Sequence, residues 1–110
     1  MTYQDIANII DGIGIAYAYY QFPNGTAQEP PFICFFYPER NDFFADNRNY
    51  AKIVELDIEL YTNEKDFASE ERIEAALETA GLTYGKEETT IDSERLYEVI
   101  YTCEVYINGE

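Results

Sequence analysis

The sequence predicts an α+β fold in which two helices pack on one face of an antiparallel sheet of about four strands. Two segments repeat apolar residues at helical spacing, and two others alternate apolar and polar residues as strands do. A hydrophobic fraction of 46% and an aromatic fraction of 16% supply enough apolar surface for a core, although the net charge is -15. We therefore expect one domain over residues 1–110, in the order helix, strand, strand, helix, strand, strand.

Both helices are predicted from a capping residue, an apolar stripe and a glycine that ends the helix. Thr2 caps the first helix and Gly12 ends it. Asp66 or Ser69 caps the second helix, which Gly81 ends. The stripes consist of Ile6, Ile9 and Ile10 in the first helix and of Ile73, Ala76, Leu77 and Ala80 in the second. We expect both stripes to face the sheet.

Four strands are predicted, over residues 32–37, 50–62, 83–90 and 96–107. The first is apolar on both faces, as a covered strand is. The second alternates between Val54, Leu56, Ile58 and Leu60 on one face and Glu55, Asp57 and Glu59 on the other. The fourth carries Tyr97, Val99, Tyr101, Cys103, Val105 and Ile107 on one face. Residues 13–22 favour an extended path because glycine and aromatic residues suit a strand better than a helix.

The predicted core combines the helical stripes with the apolar strand faces. It consists of Ile6, Ile10, Phe32, Cys34, Val54, Leu56, Ile58, Leu60, Ile73, Leu77, Val99, Tyr101 and Val105. The two cysteines, Cys34 and Cys103, both fall inside strands and have no CxxC spacing or histidine beside them. We expect buried, reduced thiols, and a disulfide is the alternative.

Charge and composition exclude several functions. The chain has 22 Asp and Glu against 7 Lys and Arg, and this excess repels nucleic acid and anionic membranes. It has no histidine, so nucleophilic catalysis lacks its usual base, and we expect neither an enzyme nor a cofactor. The N-terminus lacks a signal peptide and no apolar run approaches membrane-spanning length, so a soluble intracellular protein is expected.

The acidic row of Glu55, Asp57 and Glu59 has two interpretations. Carboxylates at alternate positions of a strand project from one face, as ligands for a hard cation do. Successive side chains on that face stand about 7 Å apart, too far for all three to reach one ion without twisting. We therefore predict a solvated strand face and no metal ligands.

The connection over residues 38–49 is polar and long for a hairpin, which marks it as functional or mobile. Two adjacent large apolar side chains inside it either fold back into the core or meet a partner. An aromatic run from Tyr17 to Phe22 covers the core or contacts another subunit. The candidate interface residues are Tyr19, Tyr20, Phe22, Phe43 and Phe44.

Four segments resemble small tail proteins of long-tailed phages and prophages of Gram-positive bacteria. They are GIAYAYYQFP at residues 14–23, PPFI at residues 30–33, IELYT at residues 58–62 and KDF at residues 65–67. The resemblance implies a head-tail joining protein of the tail terminator kind. Such a protein assembles as a hexameric ring, caps the tail tube and docks to the head connector. It implies a virion protein, assembled in the bacterial cytoplasm, without catalytic residues.

The resemblance also gives the acidity a role. DNA passes through such a ring, and a negative lumen avoids attraction to phosphate that would stall passage. The acids expected to line the lumen are Glu39, Asp42 and Asp46 in the connection and Glu55, Asp57 and Glu59 on the polar strand face.

Two other classes of protein fit the composition. An acidic DNA mimic or inhibitor that occupies a basic cleft is also small, acidic and free of histidine. Ring formation separates it from a terminator. The third class is a carboxylate-based enzyme or a metal-binding module. Removal of the metal by a chelator would affect the metal-binding form.

Overall fold

The computed structural model describes residues 1–22, 28–93 and 95–108. Its elements are α1 (Tyr3–Ile13), β1 (Ala16–Tyr19), β2 (Phe32–Phe36), β3 (Phe43–Ala45), β4 (Arg48–Thr62), α2 (Phe67–Thr79), β5 (Gly85–Ile91) and β6 (Leu96–Ile107). The predicted α+β class with two helices is confirmed. The predicted sheet of about four antiparallel strands is corrected, because the described strands form one mixed sheet of six.

The helix boundaries follow local capping chemistry. Thr2 and Asp5 form a capping box, in which each side chain accepts a hydrogen bond from the other's backbone N–H. α1 ends at Gly14 and not at Gly12 as predicted, because Gly14 adopts the left-handed conformation, with φ of 82°, that closes a helix. Asp66 caps α2 by accepting from the Ser69 N–H at 3.0 Å.

Neither helix of the described ranges is long and apolar enough to cross a bilayer, since they have 11 and 13 residues.

The sheet has the order β1-β2-β4-β6-β5, with β3 on the same side of β4 as β2. β4 and β6 form the central antiparallel pair, in register from Lys52 opposite Ile107 to Thr62 opposite Tyr97. The extended path expected for residues 13–22 contains β1, which adds a parallel edge beside β2. Parallel pairing of β1 with β2 was not predicted.

β3 and β4 form a tight hairpin in the region predicted as a long connection. Ala45 lies opposite Arg48 across a two-residue turn. Asp46 and Asn47, the two turn residues, have φ of 53° and 61°. Asp and Asn tolerate this left-handed region, which the favoured two-residue hairpin turn requires at both positions. The segment 38–49 is therefore the far part of a hairpin and not an irregular loop.

Residues 40–52, called the arm, extend beyond the main sheet. The pairing of β4 with β6 stops at Lys52, and the preceding residues of β4 pair with β3. Arg40 forms a bridge to Val54 at the base. The arm contributes to an elongated shape of 50 × 29 × 22 Å.

The core lies between the two helices and one face of the sheet. Apolar residues of both helices join those of β2, β4 and β6 in one buried cluster. The predicted core members confirmed as buried in it are Ile6, Ile10, Val54, Leu56, Ile58, Leu60, Ile73, Leu77, Val99, Tyr101 and Val105. Both cysteines are free and buried, as predicted.

Two predicted core residues lie on the other side of the sheet. Ile33 lies opposite Leu60, and Phe35 opposite Ile58, so the odd-numbered residues of β2 face the helices. Phe32 and Cys34 therefore face away from the helices, and Phe32 is only half-buried. The core prediction was therefore wrong for Phe32, whereas Cys34 is buried as predicted but on the face away from the helices. β2 is apolar on both faces, and its alternation carries no sign of which face the helices cover.

The face opposite the helices is called the open face. It carries Phe32, Cys34 and Phe36 of β2, Glu55, Asp57, Glu59 and Tyr61 of β4, and Glu98, Ile100, Thr102 and Glu104 of β6.

A buried ion network fixes α2 on the sheet. The Glu70 carboxylate lies 2.8 Å from Lys65 Nζ and 2.9 Å from Lys86 Nζ. Burial raises the pKa of Glu70, but the hydrogen bonds from both lysines outweigh it, so the pKa lies below its usual value. Tyr101 Oη donates to Glu74 at 2.7 Å, which ties the same helix to β6.

Leu77→Ala should lower the free energy of unfolding by about 2 to 5 kcal/mol, because Leu77 is fully buried and the truncation leaves a cavity. Thr79→Ala on the same helix is the control and should change it by less than about 0.5 kcal/mol, since Thr79 is exposed. Denaturant titration measures both. Equal, small effects would show that Leu77 does not belong to the core.

Candidate functional site

The open face has an acidic half built on the central strand pair. Glu55, Asp57 and Glu59 are half-buried and alternate with fully buried residues of β4. The register brings two acids of β6 beside this row, with Glu104 opposite Glu55 and Glu98 opposite Tyr61. The two strands therefore present five carboxylates on one face.

The Glu59 end of this row concentrates negative charge around one hydroxyl. Tyr61 Oη lies 3.0 Å from Glu59 Oε1 and 2.9 Å from Glu98 Oε2, and its single proton serves one of them at a time. Burial raises the pKa of Glu59, the bond from Tyr61 lowers it, and the charges of Glu98 and Asp57 raise it. The net shift is upward, so ionised Glu59 is disfavoured in the folded chain.

At the Glu55 end of the row, no cation among the described residues pairs with the carboxylates. Burial raises the pKa of Glu55, and the neighbouring Asp57 carboxyl raises it further. Asp57 Oδ1 is buried and has no hydrogen-bond partner among the described residues. Asn41 Nδ2 donates to Glu104 at 2.9 Å. Unpaired charge at this density is unfavourable within the subunit.

Within residues 1–22, 28–93 and 95–108, no three acidic or cysteine side chains are grouped to hold a metal ion.

The other half of the open face is aromatic. Phe32 stacks on Tyr61 with ring centroids 5.0 Å apart, and Phe22 meets Phe32 edge-on at 5.5 Å. Tyr20 meets Phe36 edge-on at 5.7 Å and is 61% exposed. These ring contacts leave an apolar surface beside the acidic row.

Tyr19 differs from the other aromatic candidates of its segment. It lies opposite Phe35 and meets that ring edge-on at 5.4 Å, on the helix side of the sheet. Its side chain is nevertheless 54% exposed, because β1 is an edge strand.

The arm presents the largest uncovered apolar side chains near the turn. Phe43 is 58% exposed, Phe44 is 68% exposed and Tyr50 is 61% exposed. Arg48 lies over the Tyr50 ring at 5.8 Å, within cation–π range. Of the two expectations for the Phe pair, folding back into the core is therefore wrong.

Asp42 holds the base of the arm. Its carboxylate accepts two hydrogen bonds from Arg40 at 2.8 and 2.7 Å, one from Asn49 at 2.7 Å and one from the Ile53 N–H at 3.0 Å. The Arg40 guanidinium, aided by Asn49, holds the pKa of Asp42 well below its usual range. The sequence analysis grouped Asp42 with the acids expected to line a lumen and did not predict this structural role.

The six acids expected to line a lumen thus occupy three environments. Glu55, Asp57 and Glu59 share the open face. Glu39 and Asp46 are exposed, one at the base of the arm and one in its turn, and only Asp42 is paired with a cation nearby. Glu98 and Glu104 were missed, although both alternate with the apolar face of β6 in the sequence.

Comparison with solved structures finds a protein of similar fold. No family model matches the chain, and no curated protein matches it. Among solved structures, the chain is similar to one in "Virion of native gene transfer agent (GTA) particle", with a TM-score of 0.65 and 15% sequence identity. The match covers 97% of this chain and 91% of that chain. At this identity, the likeness establishes a shared fold.

Glu59→Gln should raise the thermal unfolding midpoint at neutral pH, because it removes a disfavoured charge and keeps an acceptor for Tyr61. A carboxyl whose pKa is raised by folding destabilises the folded state once it ionises. This destabilisation grows as the pH rises from the pKa of the unfolded chain to the raised pKa of the folded chain. The gain should therefore be greatest at neutral pH and shrink as the pH falls toward the ordinary glutamate value of 4.5. Glu64→Gln, in an exposed connection, is the control for net charge. A pH-independent gain, or a loss, would contradict the assignment.

Proposed function

We propose that this chain is a structural protein of a phage-like virion, and specifically the tail terminator subunit that joins tail to head. The observation that carries this proposal is the fold likeness to a chain of a gene transfer agent virion, which extends over nearly the whole of both chains. The segment resemblance to small phage tail proteins supports the finer assignment. In this role, the protein acts by assembling with other virion proteins, and not by catalysis.

The subunits form a ring, proposed as a hexamer, that caps the tail tube and docks to the head connector. In a ring through which DNA passes, the open face is a suitable lumen surface. Its five carboxylates repel phosphate, so the wall does not hold the DNA. Glu39 and Asp46 are exposed at the base and in the turn of the arm and lie outside the open face, so the lumen role is proposed for the strand acids.

The energetics of the acidic row support an external role. Raised pKa values at Glu55 and Glu59 mean that these charges weaken the isolated subunit. Such a loss of stability is expected where a residue serves a function outside the subunit. Repulsion of DNA is such a function.

A DNA mimic is the second candidate, because the same carboxylate row would fit a basic cleft. The two candidates respond oppositely to salt. Ring assembly by subunits of net charge -15 should improve as salt screens their repulsion over about 8 Å at physiological ionic strength. Binding of a mimic to a basic partner should weaken with salt.

Mass measurement by light scattering across a salt series tests the ring. We expect a species of six times 12.8 kDa that becomes more populated with salt, and no detectable binding of duplex DNA. The measurement is repeated with purified tail tubes, on which rings that do not close alone should form. A monomer in both settings, together with tight salt-sensitive binding to a basic nucleic-acid-binding protein, would favour the mimic.

Replacing Glu55, Asp57 and Glu59 with lysine should reduce DNA delivery while leaving the subunit folded, because a positive lumen attracts phosphate. Infectivity measures delivery, and circular dichroism measures folding. The matched control places lysine at Glu29, Glu64 and Asp92, which are exposed in connections away from the open face. Normal infectivity with the strand acids reversed would refute the lumen assignment.

A further inference from the structure

The tip of the arm exposes large aromatic side chains in the part of the chain that the structure describes. The Phe43 and Tyr50 rings meet edge-on at 6.4 Å, yet Phe43, Phe44 and Tyr50 are each more than half exposed. Large aromatic side chains that project on a hairpin are typical anchors of protein interfaces. This pattern is typical of a surface that a partner covers.

The arm also differs in charge from the rest of the chain. It carries three of the seven cations, Arg40, Arg48 and Lys52, against two of the 22 carboxylates. The remaining residues hold the whole negative excess. A second copy of this strongly acidic chain therefore attracts the arm while repelling the rest of the subunit.

A receptor surface lies on the outer side of the two helices. The groove between α1 and α2 has a volume of about 590 Å³. It is lined by Asn8, Ile9, Gly12, Ile13, Arg72, Ala75, Ala76, Thr79 and Ala80. Glycine and alanine at four of these positions leave a hollow that bulky side chains can enter, and Ile9 provides an apolar wall.

Acidic side chains flank this groove. Asp11 is exposed next to Gly12 on α1, and Glu71 is exposed one turn before Ala75 on α2. Arg72, the cation in the lining, already donates to the Ile13 carbonyl at 2.7 Å. An apolar hollow with acidic margins complements an arm that is aromatic and cationic.

We propose that the arm of one subunit docks in the helix groove of the next copy of the same chain. The donor and receptor surfaces differ, so the contact is head-to-tail, and repetition of such a contact closes into a ring when the rotation permits. Phe43 and Tyr50, whose rings meet on the same face of the hairpin as Arg48, enter the hollow, and Arg48 meets the acidic margin. This inference rests on the proposed ring and identifies the contact that builds it.

Cross-linking of mixed variants tests the geometry directly. Asp46→Cys places a thiol in the exposed arm turn, and Thr79→Cys places one in the groove. Native Cys34 and Cys103 do not compete, because both are buried and burial raises their thiol pKa to about 11. A short bismaleimide should join the two variants when they are mixed under assembly conditions, and neither variant to itself.

Each outcome of this experiment decides something. Cross-linking of Asp46→Cys alone would indicate an arm-to-arm dimer and overturn the head-to-tail contact. Rings that form without a cross-link in the mixture would overturn the docking site and leave the proposed ring intact. Absence of any oligomer, in solution and on tail tubes, would overturn both.

Substitutions in the arm and in the groove test how much the proposed contact contributes to assembly. Changing Phe43 and Tyr50 to serine, or Ala75→Trp to fill the hollow, should raise the protein concentration needed for half-assembly by at least about tenfold. Ala68→Trp, on the exposed surface of α2 outside the groove, is the matched control and should assemble normally. Thermal unfolding of the monomer should be unchanged for all three. Unchanged assembly in the first two would refute the proposal.

Discussion

The register of β4 is the constraint on which the rest of this structure depends. Its 15 residues pair with β2 and β3 on one side and with β6 on the other. Val54, Leu56, Ile58 and Leu60 are almost completely buried beneath the helices. A slip of one residue would drive the acidic row into the core, so burial and charge together fix the strand. The same strand continues into the arm and thus connects core, open face and tip.

Much of this fold follows from local patterns in the sequence. The helices have capping residues and stripes, and the central strands alternate over many residues, so these elements and their buried faces were predictable. The face of β2 that the helices cover was predicted wrongly, because this strand is apolar on both sides. The hairpin was missed because its turn is Asp46-Asn47 without glycine. Parallel pairing of β1 depends on contacts distant in sequence, which alternation does not encode.

Only part of the candidate site was predictable from the sequence. The row of Glu55, Asp57 and Glu59 follows from alternation alone, whereas its neighbours on β6 depend on the strand register. The exposure of Phe43 and Phe44 required knowledge of where the arm points. The pairing of Asp42 with Arg40 was not predicted, because composition does not reveal which carboxylate meets an arginine.

The chain uses its carboxylates in two physically distinct ways. Asp42 and Glu70 are paired with cations, and their pKa values are lowered, so they support the fold. Glu55 and Glu59 have no cationic partner among the described residues, and their pKa values are raised. Different acids therefore serve the two purposes. The acids paired with cations stabilise the folded subunit, and the unpaired acids set the electrostatic potential of its surface.

The hydrogen bonds of Asp42 have a consequence for the timing of association. They order the base of the arm in the free subunit, and the tight turn orders its end. The conformational entropy of the arm is therefore lost during folding and not during binding. A surface that is already in its bound shape needs no slow rearrangement on contact, so its capture rate depends on how often correctly oriented encounters occur.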